Sequence, residues 1–308
     1  MSTAYISHPD CLLHGTGPIH PECASRLGAI NDRLISAHLY DFLRHYDAPE
    51  ATREQLLQIH DAGYLEWVEE QLPMSGYAYL DPDTMISPDS LKAARRAAGA
   101  VVLGVDLVME GQVNNAFCAV RPPGHHAEQD RAMGFCVYGN VAAGAAHALE
   151  HHGLERVAVL DFDVHFGNGT ENIFHNDHRV LICNTFQKSF YPHIPCGGRA
   201  KSSICAPLES TAKGMEFRAA VESRWLPAMR DFQPQLILVS AGFDAHAEDD
   251  MSDVSLTEAD YRWVTERIVE LAEQYSEGRI VSSLEGGYDL SALGRSVETH
   301  LRVLMGLQ

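Results

Sequence analysis

Four short apolar runs, each ending in glycine and polar residues, constrain the fold of this chain more than any other feature. They cover residues 116–120, 157–160, 236–239 and 279–284. Runs of this kind suit strands buried on both faces of a parallel sheet, although periodicity alone also fits short buried helices. Longer amphipathic stretches lie between them. One predicted helix starts with Ser87 as N-cap and Pro88 in the first position, runs through Val105 and stops at Gly111. A second follows Asn140 and ends near Gly153, and a third covers about residues 215–230. A fourth starts at Thr257, has Asp260 at its third position and ends at Gly278. Strand and helix alternate, which favours βαβ units and an α/β fold. With 308 residues there is room for one large domain or two. No Pro/Gly/Ser linker or composition shift divides the chain, so one domain over 1–308 is expected.

The polar segments after the four runs carry the chemistry. They read Arg121-Pro122-Pro123-Gly124-His125-His126, then Asp161-Phe162-Asp163-Val164-His165, then Ser240-Ala241-Gly242-Phe243-Asp244, then Glu285-Gly286-Gly287-Tyr288. In an open α/β sheet the ligand crevice lies beyond the carboxyl ends of the strands, so all four would meet there. Asp163 and His165 are two residues apart, which in extended chain sends both side chains to one side. With Asp244 they offer two oxygens and one nitrogen to a divalent metal, leaving a coordination position open. Zinc suits that set; ligand type alone also admits iron(II), cobalt or manganese. An isolated Asp-X-His is more often a surface turn, and the three other polar strand ends shift that balance.

At the rim of such a site, His125 and His126 become acid/base candidates. Asp161 and Asn168 could orient them through their other ring nitrogens. A carboxylate partner raises an imidazole's pKa and an amide partner adds no charge, so the pair could sit in different protonation states. Tyr288, after two glycines, could donate its hydroxyl to an oxyanion opposite the metal.

Bulk properties remove other classes. A net charge of −19, from 23 basic and 42 acidic residues, argues against a grip on nucleic acid. It suits a cationic substrate or serves solubility. The seven cysteines are irregularly spaced with no CxxC pair, which points to reduced thiols in a cytoplasm. The start Met1-Ser2-Thr3 lacks a basic signal-peptide opening, and no stretch approaches the roughly 20 apolar residues of a membrane span. A soluble, cytoplasmic protein without membrane contacts is expected, and self-association stays open.

These segments resemble the histone deacetylase family, including its bacterial histone deacetylase-like amidohydrolases and the acetylpolyamine amidohydrolases. The likeness runs through His8-Pro9-Asp10, His20-Pro21-Glu22, Arg26-Leu27, His60-Asp61, Asp81-Pro82-Asp83-Thr84 and Gly134-Phe135-Cys136 as well as the four strand ends. Asn168 is similar to the class II and bacterial branch. The resemblance implies the arginase–deacetylase fold, a mostly parallel sheet of about eight strands with helices on both faces. It implies zinc on Asp163, His165 and Asp244, and His126 as general base and then acid. His125, tied to Asp161, would assist, and Tyr288 would polarise the acyl carbonyl. It also implies a structural potassium ion on Asp161, Asp163 and His165 with nearby carbonyls. An aromatic tunnel for an acyl-lysine arm would have Phe135 on one wall, with the opposite wall in Phe190-Tyr191-Pro192 and Tyr191 as the favoured residue. Gly134, Gly287 and Met251 would border the substrate, Arg26 would lie near an internal acetate pocket, and Asp81 or Asp83 would mark the rim.

Two departures bear on substrate. The tunnel wall continues into His193-Ile194-Pro195-Cys196-Gly197-Gly198 where the family has Gly-Thr-Gly. Met251 stands where polyamine-selective relatives carry glutamate, an apolar wall that leans away from polyamines. The expected activity is deacylation of an acylated amine such as acyl-lysine. An acetylpolyamine or another small acetylated amine is the alternative. A two-manganese, arginase-like hydrolase would need more carboxylates, and a non-catalytic binder would need a lost ligand or phenol.

Overall fold

The computed structural model describes residues 2–198 and 202–307. In chain order its strands are β1 (Thr3–Ser7), β2 (Arg44–Asp47), β3 (Ala78–Tyr79), β4 (Met85–Ile86), β5 (Asn115–Cys118), β6 (Val157–Asp161), β7 (Val180–Gln187), β8 (Ser203–Leu208), β9 (Leu236–Ala241) and β10 (Ile280–Leu284). The α-helices are α1 (Ser25–Ser36), α2 (Arg53–Leu56), α3 (Ala62–Glu70), α4 (Ser90–Met109), α5 (Asn140–Glu150), α6 (Asn168–Ile173), α7 (Gly214–Ala220), α8 (Leu226–Phe232), α9 (Glu258–Tyr275) and α10 (Leu290–Leu304).

Among the described residues, eight strands form one sheet in the order β2-β1-β5-β10-β9-β6-β7-β8, and every pairing in it is parallel. The α/β arginase–deacetylase architecture expected from sequence is present. The four runs singled out above are β5, β10, β9 and β6, which are adjacent in the middle of the sheet. Every residue of these four strands is buried, as strands covered on both faces should be. The outermost strand β2 is mostly exposed, and β8 is partly so. Because Ser283 pairs with Cys118, Leu284 with Ala241 and Asp161 with Ser240, the four polar loops leave the sheet side by side. That register is what brings them to one place.

The helix predictions hold with shifted ends. The helix expected from Pro88 starts at Ser90, with Asp89 as its N-cap. Ser87 instead accepts a hydrogen bond from the Gly15 amide at 2.9 Å, and its own amide donates to Ser90 Oγ at 2.7 Å. The stretch at 215–230 is two helices, α7 and α8, joined by a π turn at Val221–Trp225. Pro227 has no N–H to give to the preceding turn, so the regular ladder is interrupted there. At α9 the Thr257 amide donates to Asp260 Oδ2 at 3.0 Å, the predicted cap.

One expectation fails. Cys196 and Cys205 form a disulfide with Cα atoms 6.0 Å apart. Cys205 lies on β8, and the segment after Tyr191 doubles back beside it. Nine residues of separation follow no spacing rule, so nothing along the chain signals the pair. The other five cysteines are free thiols. No helix among the described residues is long and apolar enough to cross a membrane.

His60 shows how the helix layer fixes the start of α5. Its Nδ1–H donates to the Glu128 carbonyl at 2.9 Å, and its Nε2 accepts from the Gly139 amide at 3.1 Å. Burial lowers its pKa to about 4. Protonation would remove the acceptor, and the unfolded chain takes up the proton more readily. His60 therefore stabilises the fold above about pH 6.5 and loses that contribution as pH falls towards about 4, at about 1.4 kcal/mol per pH unit. His60→Gln removes this titration. Urea unfolding should show the wild type's advantage over the variant shrinking across that window; an advantage independent of pH would contradict the assignment.

Candidate active site

The cavity at the carboxyl ends of the central strands has a volume of about 210 Å3. Its lining includes His125 and His126 from the loop after β5, His165 after β6, and Gly286 and Tyr288 after β10. Larger clefts exist, such as one of about 450 Å3 beside β1 and β2. The smaller cavity gathers Asp83, His125, His126, His165, Tyr191 and Tyr288, all of them shifted from their ordinary pKa, which is the mark of a binding site.

Where His165 lines the cavity, one donor atom each from Asp163, His165 and Asp244 lies within 4.8 Å of the others, all three residues buried. His165 Nδ1 is 3.0 Å from Asp163 Oδ1 and 3.1 Å from Asp244 Oδ2. The remaining carboxylate oxygens are anchored by backbone. The Gly286 amide donates to Asp163 Oδ2 at 2.8 Å, and the Val164 amide to Asp244 Oδ1 at 3.0 Å. Asp244 Oδ2 is buried and accepts no hydrogen bond. Gly286 is required here, because a Cβ at that position would strike both carboxylates.

Two buried carboxylates this close need positive charge beside them. Burial and the Asp163 charge push Asp244 up to about 6. Burial opposes charge on His165 too, yet its close contacts with the Asp163 and Asp244 carboxylates raise it to about 10. Burial also opposes ionisation of Asp163, but the charges of His125 and His165 hold it well below the usual carboxylate range. A divalent cation satisfies the same demand with an imidazole and two carboxylates, and the donor set fits zinc.

The two histidines above this cluster differ in their partners. His125 Nδ1 is 3.0 Å from Asp161 Oδ2, and His126 Nδ1 is 2.7 Å from Asn168 Oδ1. Asn168 donates through Nδ2 to Glu128 Oε1 at 2.8 Å, which turns its oxygen towards His126. An amide oxygen only accepts, so His126 carries its proton on Nδ1 and keeps the Nε2 lone pair. Burial disfavours charge on both rings. For His125 the Asp163 and Asp161 carboxylates outweigh burial and raise its pKa well above the ordinary value. For His126 burial is reinforced by His125 and His165, and its pKa falls well below it. One imidazolium and one neutral imidazole therefore sit side by side, with ring centres 4.0 Å apart.

Tyr288 faces the cavity from the opposite wall. Gly287 before it has φ +120°, a backbone state that favours glycine. Burial raises the Tyr288 pKa well above its ordinary value even though Arg26 works against it, so the phenol keeps its proton. Arg26, expected near an internal pocket, is completely buried, with its guanidinium 4.8 Å from the Tyr288 ring centre. Its Nε donates to the Gly287 carbonyl at 2.6 Å, and Nη2 donates to the Glu285 carbonyl. It braces the loop that carries the phenol.

Phe135, Phe190 and Tyr191 all line the cavity. The Phe190 ring stacks on His165 at 5.5 Å, while Tyr191 meets His126 edge-on at 5.2 Å. The second wall is thus shared by Phe190 and Tyr191. Gly134 has φ +57°, and a Cβ there would collide with the His126 ring. Met251 lines the same cavity, and so does Asp83, whose Oδ1 accepts the Gly134 amide at 2.9 Å.

Three supporting carboxylates were not assigned a role from sequence. Glu285 Oε2 accepts the Gly124 and His125 amides at 2.7 and 3.1 Å, which fixes the histidine loop. Asp249 Oδ2 accepts the Tyr288 and Asp289 amides at 2.6 and 3.0 Å. Glu22 pairs with fully buried Arg121 through two hydrogen bonds, at 2.5 and 2.7 Å. Glu22 and Arg121 do stand inside recognisable motifs, but nothing in the sequence tells which charged neighbours meet.

Comparison with known proteins shows the family of the chain. The histone deacetylase domain family matches residues 20–304. The histone deacetylase-like amidohydrolase of Pseudomonas aeruginosa is 34% identical over 93% of this chain and 81% of its own length. The polyamine deacetylase HDAC10 of Mus musculus is 34% identical over 99% of this chain and 48% of its own length. The solved HD domain of HDA15 superposes with a TM-score of 0.93 at 31% identity, covering 99% of this chain and 88% of that one.

Proposed function

The chain belongs to the histone deacetylase family, and on that premise we propose that it is a zinc-dependent amidohydrolase that removes an acetyl or related acyl group from an amine, such as acyl-lysine in a protein or peptide. The observation that carries this reading is the trio Asp163, His165 and Asp244, with donor atoms within 4.8 Å of one another, where His165 lines a cavity whose far wall holds a protonated phenol. Zinc bound there would bring the pKa of water towards about 7 and polarise the acyl carbonyl.

The chain's own groups supply the rest. His126 Nε2 takes the proton of the attacking water and later returns it to the leaving amine. Tyr288 donates its O–H to the oxygen that gains charge on the carbonyl. His125, held as an imidazolium by the Asp163 and Asp161 carboxylates, adds positive charge beside that oxygen. Gly134, Phe135, Phe190, Tyr191 and Met251 enclose the arm that brings the acyl group. Gly287 and Arg26 set the position of Tyr288. The proposal includes a potassium ion on Asp161, Asp163 and His165 with neighbouring carbonyls, which turnover in potassium-free buffer tests. It also takes residues 1–308 as one catalytic domain, supported by a single continuous cluster of buried side chains. A cytoplasmic setting is supported by the five free thiols and opposed by the Cys196–Cys205 bond.

Tyr288→Phe tests the phenol. It should lower kcat about 10²- to 10³-fold, as loss of one oxyanion donor does, while zinc content stays the same. Undiminished turnover would overturn the role. A small acetylated polyamine is the second substrate reading, favoured by the net charge of −19 and opposed by Met251 in the cavity wall. Turnover of acetyl-lysine peptides, longer acyl-lysines, trifluoroacetyl-lysine and acetylated polyamines, compared as kcat/KM, separates the two.

A further inference from the structure

Away from the cavity, three histidines and one carboxylate meet where α4 and α5 end. Asp106 is near the end of α4. His147 is in the last turn of α5, and His151 and His152 follow directly after it. Asp106 Oδ1 lies 2.7 Å from His147 Nε2 and 2.8 Å from His152 Nε2. The His147 and His151 rings, one helical turn apart, stack with centres 4.7 Å apart and planes 11° apart. His152 meets the His151 ring edge-on at 5.0 Å. One donor atom from each of the four residues lies within 4.8 Å of the other three.

From this arrangement we infer that Asp106, His147, His151 and His152 form a second metal site, specific for a borderline transition-metal dication such as Zn2+. Three imidazoles and a carboxylate are a complete tetrahedral set of the kind that structural zinc sites use. Ligands on zinc at about 2.0–2.1 Å stand about 3.4 Å from one another, so the cluster needs to tighten by roughly 1 Å. His151 is exposed, and His152 and Asp106 are half-buried, so those side chains are free to make the adjustment. His147 is buried and supplies a fixed anchor. Both helices precede or follow β5 and run against the sheet direction, so both carboxyl-terminal ends face this point. Their dipoles favour a cation there. Mg2+ and Ca2+, which require mostly oxygen ligands, are not expected to bind.

The site is separate from the cavity. Asn140 at the other end of α5 bonds the Pro122 carbonyl at 3.0 Å, beside the catalytic loop. Seven residues of α5, about 10 Å, separate Asn140 from His147, and His151 and His152 lie beyond the far end of the helix. A bound ion would tie α4 to α5 and does not complete the catalytic set.

Equilibrium dialysis of the whole protein against zinc, followed by elemental analysis, counts the ions. The wild type should take up two per chain. The double variant His151→Ala/His152→Ala, altered only at accessible positions, should hold one. So should Asp106→Asn, which keeps the shape of the side chain. Zinc added beyond the first equivalent should raise the melting temperature of the wild type and leave that of the double variant unchanged. Equal uptake by wild type and double variant, or uptake of Mg2+ in place of zinc, would overturn the inference. Asp163→Ala keeps the outcomes apart. Loss of one ion in that variant reports on the cavity, and loss of one ion in the double variant reports on this cluster.

Discussion

Asp244→Ala is expected to lose the cavity zinc and with it nearly all turnover. Asp244 supplies the one buried carboxylate oxygen of the trio that accepts no hydrogen bond, which makes it the oxygen most available to a cation. A Lewis-acid metal contributes several kcal/mol of transition-state stabilisation, so kcat/KM should fall roughly 10³-fold or more. The carboxylate also takes part in a buried charge cluster with Asp163 and His165. Its removal leaves His165 with one partner instead of two, and its pKa should fall from about 10. Elemental analysis beside the turnover assay checks this. A variant that keeps both zinc in the cavity and activity would exclude Asp244 from the ligand set.

His126→Ala is expected to lower kcat by about 10²- to 10⁴-fold while zinc content stays the same, the range that removal of a general acid–base group gives. The split between rate and metal content separates proton transfer from metal binding. His126 is the histidine that keeps a free Nε2 lone pair, because Asn168 accepts the proton on its Nδ1. Asn168→Asp should bring its pKa up, because a carboxylate in place of the amide favours the imidazolium. The lower limb of the pH profile should then move to higher pH. If His126→Ala retains wild-type kcat, the proton must pass through His125, which its two aspartates hold in the charged form.

How far the sequence reached follows from what sequence can encode. β5, β6, β9 and β10 were legible because a strand buried on both faces has to be apolar and short. The edge strand β2, Arg44-His45-Tyr46-Asp47, carries no such signal because solvent covers it. β7 carries a weaker signal for a different reason, since Asn184, Thr185 and Gln187 interrupt its apolar run although all three are buried. The metal trio and the partners Asp161 and Asn168 were legible from residue type and order along the chain. The bracing by Glu285, Asp249 and the Glu22–Arg121–Arg26 group was not. Apart from the Glu22–Arg26 pair, those contacts join residues from 39 to 261 positions apart, which the fold and not the chain makes neighbours. Phe190 was displaced by Tyr191 in the expected wall because adjacent aromatics on a loop cannot be ranked without the backbone. The Cys196–Cys205 bond was hidden for the same reason.

The proposed chemistry requires Asp163, His165 and Asp244 to share one divalent ion. Zinc-edge X-ray absorption of protein loaded with a single equivalent reads that ion's neighbours directly. The account predicts one imidazole nitrogen and carboxylate oxygens at about 2.0–2.2 Å, a shell that persists in the His151→Ala/His152→Ala variant. A shell of three imidazoles, or no zinc retained by that variant, would contradict it.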